Sequence, residues 1–135
     1  MKLLRRIIPI GFAIKSILLI TTAVLIFHLS VVVEIIPYKH VWGGRLKSVE
    51  QMYIFQAISI FLNFLILIVV LIRGEYIQPH MPISTTIAFS WIFFVVFALS
   101  AIANVSSMDS LESKIFTPVA FVLAFLFLRI AIKEK

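Results

Sequence analysis

Four apolar runs, each close to the length a helix needs to cross a lipid bilayer, leave little of this 135-residue chain for anything else. Residues 16–33, 51–72 and 76–108 contain no Asp, Glu, Lys or Arg, and 115–128 is a shorter run of the same kind. A membrane-crossing helix takes about 20 mostly apolar residues, because every backbone polar group must be satisfied inside the hydrocarbon. The runs predict spans over about 14–36, 52–72, 83–106 and 114–132. The fourth reaches full length only if Arg129 snorkels to the surface and Ile132 completes the helix. The chain thus reads as an all-α integral membrane four-helix bundle, a single transmembrane domain over 1–135 with a short outer loop at 37–47.

Composition supports the same reading. Hydrophobic residues are 62% of the chain and charged residues 13%, more apolar surface than a small soluble domain can hide. This excludes a soluble globular enzyme, a disordered tail and a secreted disulfide scaffold. The formal charge of +6 comes from residues that flank the apolar runs. Such residues mark topology and contact membrane lipids, and no nucleic-acid partner is called for. Cysteine is absent, which removes disulfides, thiol redox chemistry and thiolate metal sites.

Helix breakers agree with the four spans. Pro37 follows the first, and Pro79 and Pro82 precede the third. Pro118 falls in the first turns of the fourth helix if that helix starts between 109 and 114, where proline removes little hydrogen bonding. Ser48-Val49-Glu50-Gln51 fits a capping box that starts the second helix above the membrane, and Asp109-Ser110-Leu111-Glu112 has the spacing of a weaker one. Lys2, Arg5 and Arg6 precede an apolar run, as in a signal peptide, with Thr21-Thr22-Ala23 as a small-residue site. The run continues well past that site, so the segment reads as an uncleaved anchor.

With four spans, the N-terminus, the second loop and the C-terminus share one side. That side holds eight basic residues: Lys2, Arg5, Arg6, Lys15, Arg73, Arg129, Lys133 and Lys135. The other holds four: Lys39, Arg45, Lys47 and Lys114. The excess predicts a multi-pass protein of the cell membrane with both termini cytoplasmic.

Polar residues inside the spans are the candidates for function. Gln56, Ser59 and Asn63 recur at i, i+3, i+7, one face of the second helix, and this face is expected to point into the bundle. Ile54, Leu62, Leu65 and Val69 are expected to face lipid. The third span carries Ser90, Ser100 and Asn104, and Asn104 is the expected partner of Gln56. In the first span, Thr21 and His28 share one face and Ser30 and Glu34 another. Glu34, Gln56 and Asn104 are expected in the outer half, with His28 and Asn63 near mid-depth. Thr117, Ala120, Ala124 and Ala131 form a small-residue stripe for close packing of the fourth helix. These amides and hydroxyls serve either as helix–helix contacts or as the lining of an outward-opening polar pocket. His28 and Glu34 favour the pocket, because ionisable groups at membrane depth are costly.

The first loop, Pro37 to Lys47, is the most distinctive stretch. Tyr38 and Trp42 suit the membrane interface, and Gly43-Gly44 permits a tight turn with positive φ. Arg45 could then fold back to meet Glu34 or hold an anionic group, making the loop a lid. His28, Ile36-Pro37-Tyr38, Trp42-Gly43-Gly44-Arg45-Leu46 and Glu50-Gln51-Met52-Tyr53 resemble a family of small four-span bacterial membrane proteins of unassigned function. Asn104 and the segment before the fourth span fit as well. The resemblance implies the fold class and a bacterial membrane location. In topology alone, the chain is also similar to the EXPERA group of sterol isomerases and sterol-binding proteins.

Three functions compete. A non-enzymatic bundle would bind a lipid-like or small amphipathic ligand, with His28, Glu34, Arg45, Gln56, Asn63 and Asn104 lining or gating the pocket. An isomerase-like enzyme would use His28 or Glu34 as acid or base on a hydrophobic substrate. A small transporter would work as a homodimer around Glu34. His28, His40 and His80 lie in different elements and make no metal-ligand spacing. No phosphate loop, nucleophile elbow or dinucleotide fingerprint occurs, and no cofactor is called for.

Overall fold

The computed structural model describes residues 1–107 and 110–134, and the side chains of all of these except Ser110 and Glu112. The described residues are predominantly helical, and there is no strand among them. A short amphipathic helix, α1 (Lys2–Ile7), precedes four long ones: α2 (Ile10–Val32), α3 (Val49–Arg73), α4 (Ile83–Val105) and α5 (Ser110–Ala131). All four long helices are apolar and long enough to cross a membrane. They run up and down in a ring, each against its neighbours in sequence, with α5 closing on α2. The chain is a multi-pass membrane protein built as a four-helix bundle.

The helix ends follow local chemistry. Ser48 caps α3, its Oγ accepting from the Gln51 N–H at 3.2 Å. Gln51 Oε1 in return accepts from the Lys47 N–H at 2.9 Å, one residue upstream of the usual reciprocal bond of a capping box. Pro9 and Pro82 stand at the caps of α2 and α4, where their fixed φ suits a helix start. The first span is displaced by four residues from its expected 14–36. Pro9 starts it early, Lys15 being tolerated on an exposed face, and Glu34 ends it by taking a left-handed φ of 61°. Pro118 lies about two turns into α5, deeper than a first-turn proline, so the Lys114 carbonyl lacks its intrahelical donor. The weaker capping box begins at Asp109, which lies outside the described residues.

Two apolar clusters divide the interior. The larger one occupies the end of the bundle near the chain termini, with Ile14, Ile17, Ile66, Val70, Phe93, Leu123, Phe127 and Ile130 as members. Ala120 and Ala124 are buried, as their stripe predicts, and α4 and α5 make the closest helix pair in the molecule. The smaller cluster of Val31, Val41 and Met52 lies at the other end, under the first loop. There two 3-10 turns, Tyr38–His40 and Trp42–Gly44, lay the loop across the bundle.

Three arginines tie the terminal end together. Arg129 donates from Nε to the Ile8 carbonyl at 2.6 Å and pairs with Glu134 at 2.7 Å. Arg73 donates from Nε to the Ile130 carbonyl at 3.1 Å, and Arg5 bonds the Lys133 carbonyl. The expectation that Arg129 snorkels outward is corrected, because its residue is only 2% exposed. The last carbonyls of a helix have no intrahelical donors and carry its negative dipole end, so they draw the guanidinium inward. Both termini and the α3–α4 connection therefore share one end of the bundle, with loop 37–47 at the other.

Candidate functional site

A cavity of about 390 Å3 lies between the two apolar clusters, bounded by all four long helices and by Val41 and Trp42 of the first loop. Its position follows from how the helices pair. The α4–α5 and α2–α3 contacts are extensive, whereas α3 meets α4 sparsely. Wall residues Leu62 of α3 and Ile92 and Val96 of α4 are 41%, 54% and 43% exposed, so the cavity opens laterally through the α3–α4 seam. In a membrane that seam faces hydrocarbon.

The wall is mainly apolar and aromatic, with Phe27, Phe89, Phe93, Phe97 and Phe116 contributing rings. Five polar side chains interrupt it: His28, Ser59, Asn63, Ser100 and Asn104. The expected polar pocket is thus an apolar one with a few polar positions, the usual make-up of a small-molecule site. His28 stands four residues before the end of α2, nearer the loop end than the mid-depth expected for it. Its Nδ1 donates to Gln56 Oε1 at 2.7 Å, joining α2 to α3. Gln56 is fully buried behind the wall, and its partner is His28 in place of the expected Asn104. Asn63 does reach the wall, and its Nδ2 donates to the Ser59 carbonyl at 2.8 Å within α3. The Gln56–Ser59–Asn63 face points inward as the periodicity predicts, and Ile54 and Leu62 are exposed. Val69 and Leu65 are corrected: Val69 is 2% exposed and belongs to the larger cluster, and Leu65 packs against that cluster and lines the cavity, because the buried stripe of α3 widens toward its C-terminal end, where Ile66, Val69, Val70 and Arg73 are all buried.

Glu34 and Arg45 do not belong to this site. Both are exposed and neither lines the cavity. Helical spacing cannot place Glu34, because its left-handed φ ends the helix just before it. Arg45 lies along Gly43 and makes no ion pair with Glu34. An acid–base pair of His28 with Glu34 is therefore not assembled at the cavity. The loop covers the cavity through Val41 and Trp42, which the motif reading left out of the site. Trp42, Gly43 and Gly44 take φ values of 54°, 70° and 69° in succession. This tight turn folds the indole back onto Phe55, with ring centroids 4.9 Å apart. The available signal was Trp-Gly-Gly itself: two residues at ease with positive φ next to a large amphipathic ring.

The chain matches no protein-family model, no curated protein and no solved structure. What the site can do rests on its geometry. It has an apolar interior, a lateral mouth at bilayer depth, and neutral hydrogen-bonding groups at fixed points on its wall.

Proposed function

We propose that this protein binds a lipid-like or small amphipathic ligand that enters from the bilayer. The observation that carries the reading is the cavity of about 390 Å3 with its opening between the lipid-facing residues Leu62, Ile92 and Val96. Ligand sites typically fall between about 300 and 1,000 Å3 and combine apolar walls with a few placed polar groups. A mouth onto hydrocarbon lets an apolar molecule reach such a site without crossing water. In native mass spectrometry, gently purified protein should carry an added mass. Val96→Trp, which places an indole in the mouth, should remove that mass without lowering the detergent melting temperature. A parent protein that carries no adduct, or a variant that keeps it undiminished, would overturn the reading.

We further propose that the protein resides in the cell membrane with both termini cytoplasmic and residues Trp42 to Lys47 outside. The support is that, among the described residues, the end of the bundle holding both termini also holds seven Lys and Arg residues against four at the other end. A C-terminal alkaline phosphatase fusion should be inactive and a C-terminal fluorescent fusion bright. The reverse pattern would invert the topology.

A further inference from the structure

Among the described residues, the wall of the cavity contains no Asp, Glu, Lys or Arg. The basic loop residues Lys39, Arg45 and Lys47 are exposed and stand off the wall, as does Glu34. An anionic head group moved into this site would leave water without a fixed countercharge, which is strongly unfavourable in a low-dielectric interior. The polar groups are also unevenly committed. The deeper amide, Asn63, already donates within its own helix. Nearer the loop, the side chains of Ser100 and Asn104 have no hydrogen-bond partner among the described residues, although both line the cavity. His28 commits its Nδ1 proton to Gln56 Oε1, an oxygen that can only accept, so its Nε2 carries a lone pair in the neutral ring.

These three residues occupy the loop-side level of the wall, with Asn104 about 6 Å, one helical turn, nearer the loop than Ser100. His28 is four residues from the loop-side end of α2, and Ser100 and Asn104 are five and one from the loop-side end of α4. At 1.5 Å per residue, all lie within roughly 8 Å of the loop-side helix ends. Below them the wall is largely rings and aliphatic side chains, such as Ile66, Phe93 and Leu123. A group that both donates and accepts would satisfy this level, donating to an imidazole nitrogen while accepting from an amide.

We infer that the ligand is an uncharged amphiphile with a hydroxyl head group, held at the loop end by His28, Ser100 and Asn104 while its apolar body fills the deeper cavity. The inference rests on the reading of the cavity as an amphiphile site and adds the chemical class. It excludes phospholipids and fatty-acid anions as occupants.

Trp42 lines the cavity whereas Trp91 does not, so Trp91→Phe leaves one indole as a reporter at the site. This variant, in phosphatidylcholine nanodiscs, is titrated with three dibrominated probes of equal chain length: a long-chain alcohol, the ionised fatty acid and the alkyl phosphate. A fourth probe is the dibrominated alkane. The alcohol should quench Trp42 saturably, at a mole fraction about tenfold below either anion, equivalent to about 1.4 kcal/mol. Adding Ser100→Ala and Asn104→Leu should weaken the alcohol to the level of the alkane, with the melting temperature kept. If an anion saturates as readily as the alcohol, or the alkane as readily in the unaltered site, the head-group assignment fails while the binding site stands. If no probe saturates, the assignment and the proposed function fail together.

Discussion

Replacing Arg129 with Ala should lower the unfolding free energy in detergent by about 3 kcal/mol, one of the two largest single-residue effects expected here. Its Nε bond to the Ile8 carbonyl is short at 2.6 Å, and hydrogen bonds from charged groups contribute about 1.5–3 kcal/mol. The ion pair with the half-exposed Glu134 adds at most about 1 kcal/mol. Truncation also removes the donor of a helix-end carbonyl and opens space at a site that is 2% exposed. Arg129→Lys should recover less than half of the loss, because an ammonium cannot place a fork of donors toward Ile8 and Glu134 together. The measurement is denaturant unfolding of the purified variants in one detergent. Unchanged stability in Arg129→Ala would mean that the side chain turns to the membrane surface, as its sequence position alone suggests.

Phe127→Ala should destabilise the bundle by a similar amount, about 3 kcal/mol. Phe127 is fully buried, stacked on Phe97 with ring planes 4° apart and centroids at 5.5 Å, and tilted against Phe93 at 5.2 Å. In a bilayer an undocked helix keeps its phenyl ring in hydrocarbon, so the water-transfer part of the usual penalty is small. What remains is lost packing, about 24 cal/mol per Å3 of cavity left behind, plus the aromatic contacts at about 0.5–1.5 kcal/mol each. Phe93 and Phe97 also line the cavity, so the truncation joins new volume to it. Phe121→Ala, at an exposed position on the same helix, should change stability by less than about 0.5 kcal/mol. Unfolding both variants side by side tests the packing assignment, and equal losses would refute it.

Features carried within a single helix were legible from the residues. The four spans follow from the apolar runs, and three of them agree with the structure to within a few residues. The Ser48 cap, the inward face of Gln56, Ser59 and Asn63, the buried Ala120 and Ala124, and the positive-φ glycines were likewise readable. Each depends on spacing along one segment or on the geometry of one residue. Glu34 shows the limit of such reading. A periodic pattern assigns a face only while the helix lasts, and one left-handed residue ends it there.

Hydropathy, helix period and capping are local properties, and by them the sequence alone determined a chain that must lie in a membrane as four helices with their polar groups turned inward. Which groups then meet depends on the rotation and depth of one helix against another, which no single helix encodes. Only the packed bundle therefore decided that Gln56 bonds His28 and not Asn104, and that Arg129 turns inward to the end of α1. It also decided that α3 and α4 stay apart far enough to leave a cavity between them. Long side chains such as arginine can turn toward water or toward an unmet carbonyl from the same position on a helix. The tertiary structure chooses between the two by bringing that carbonyl within reach.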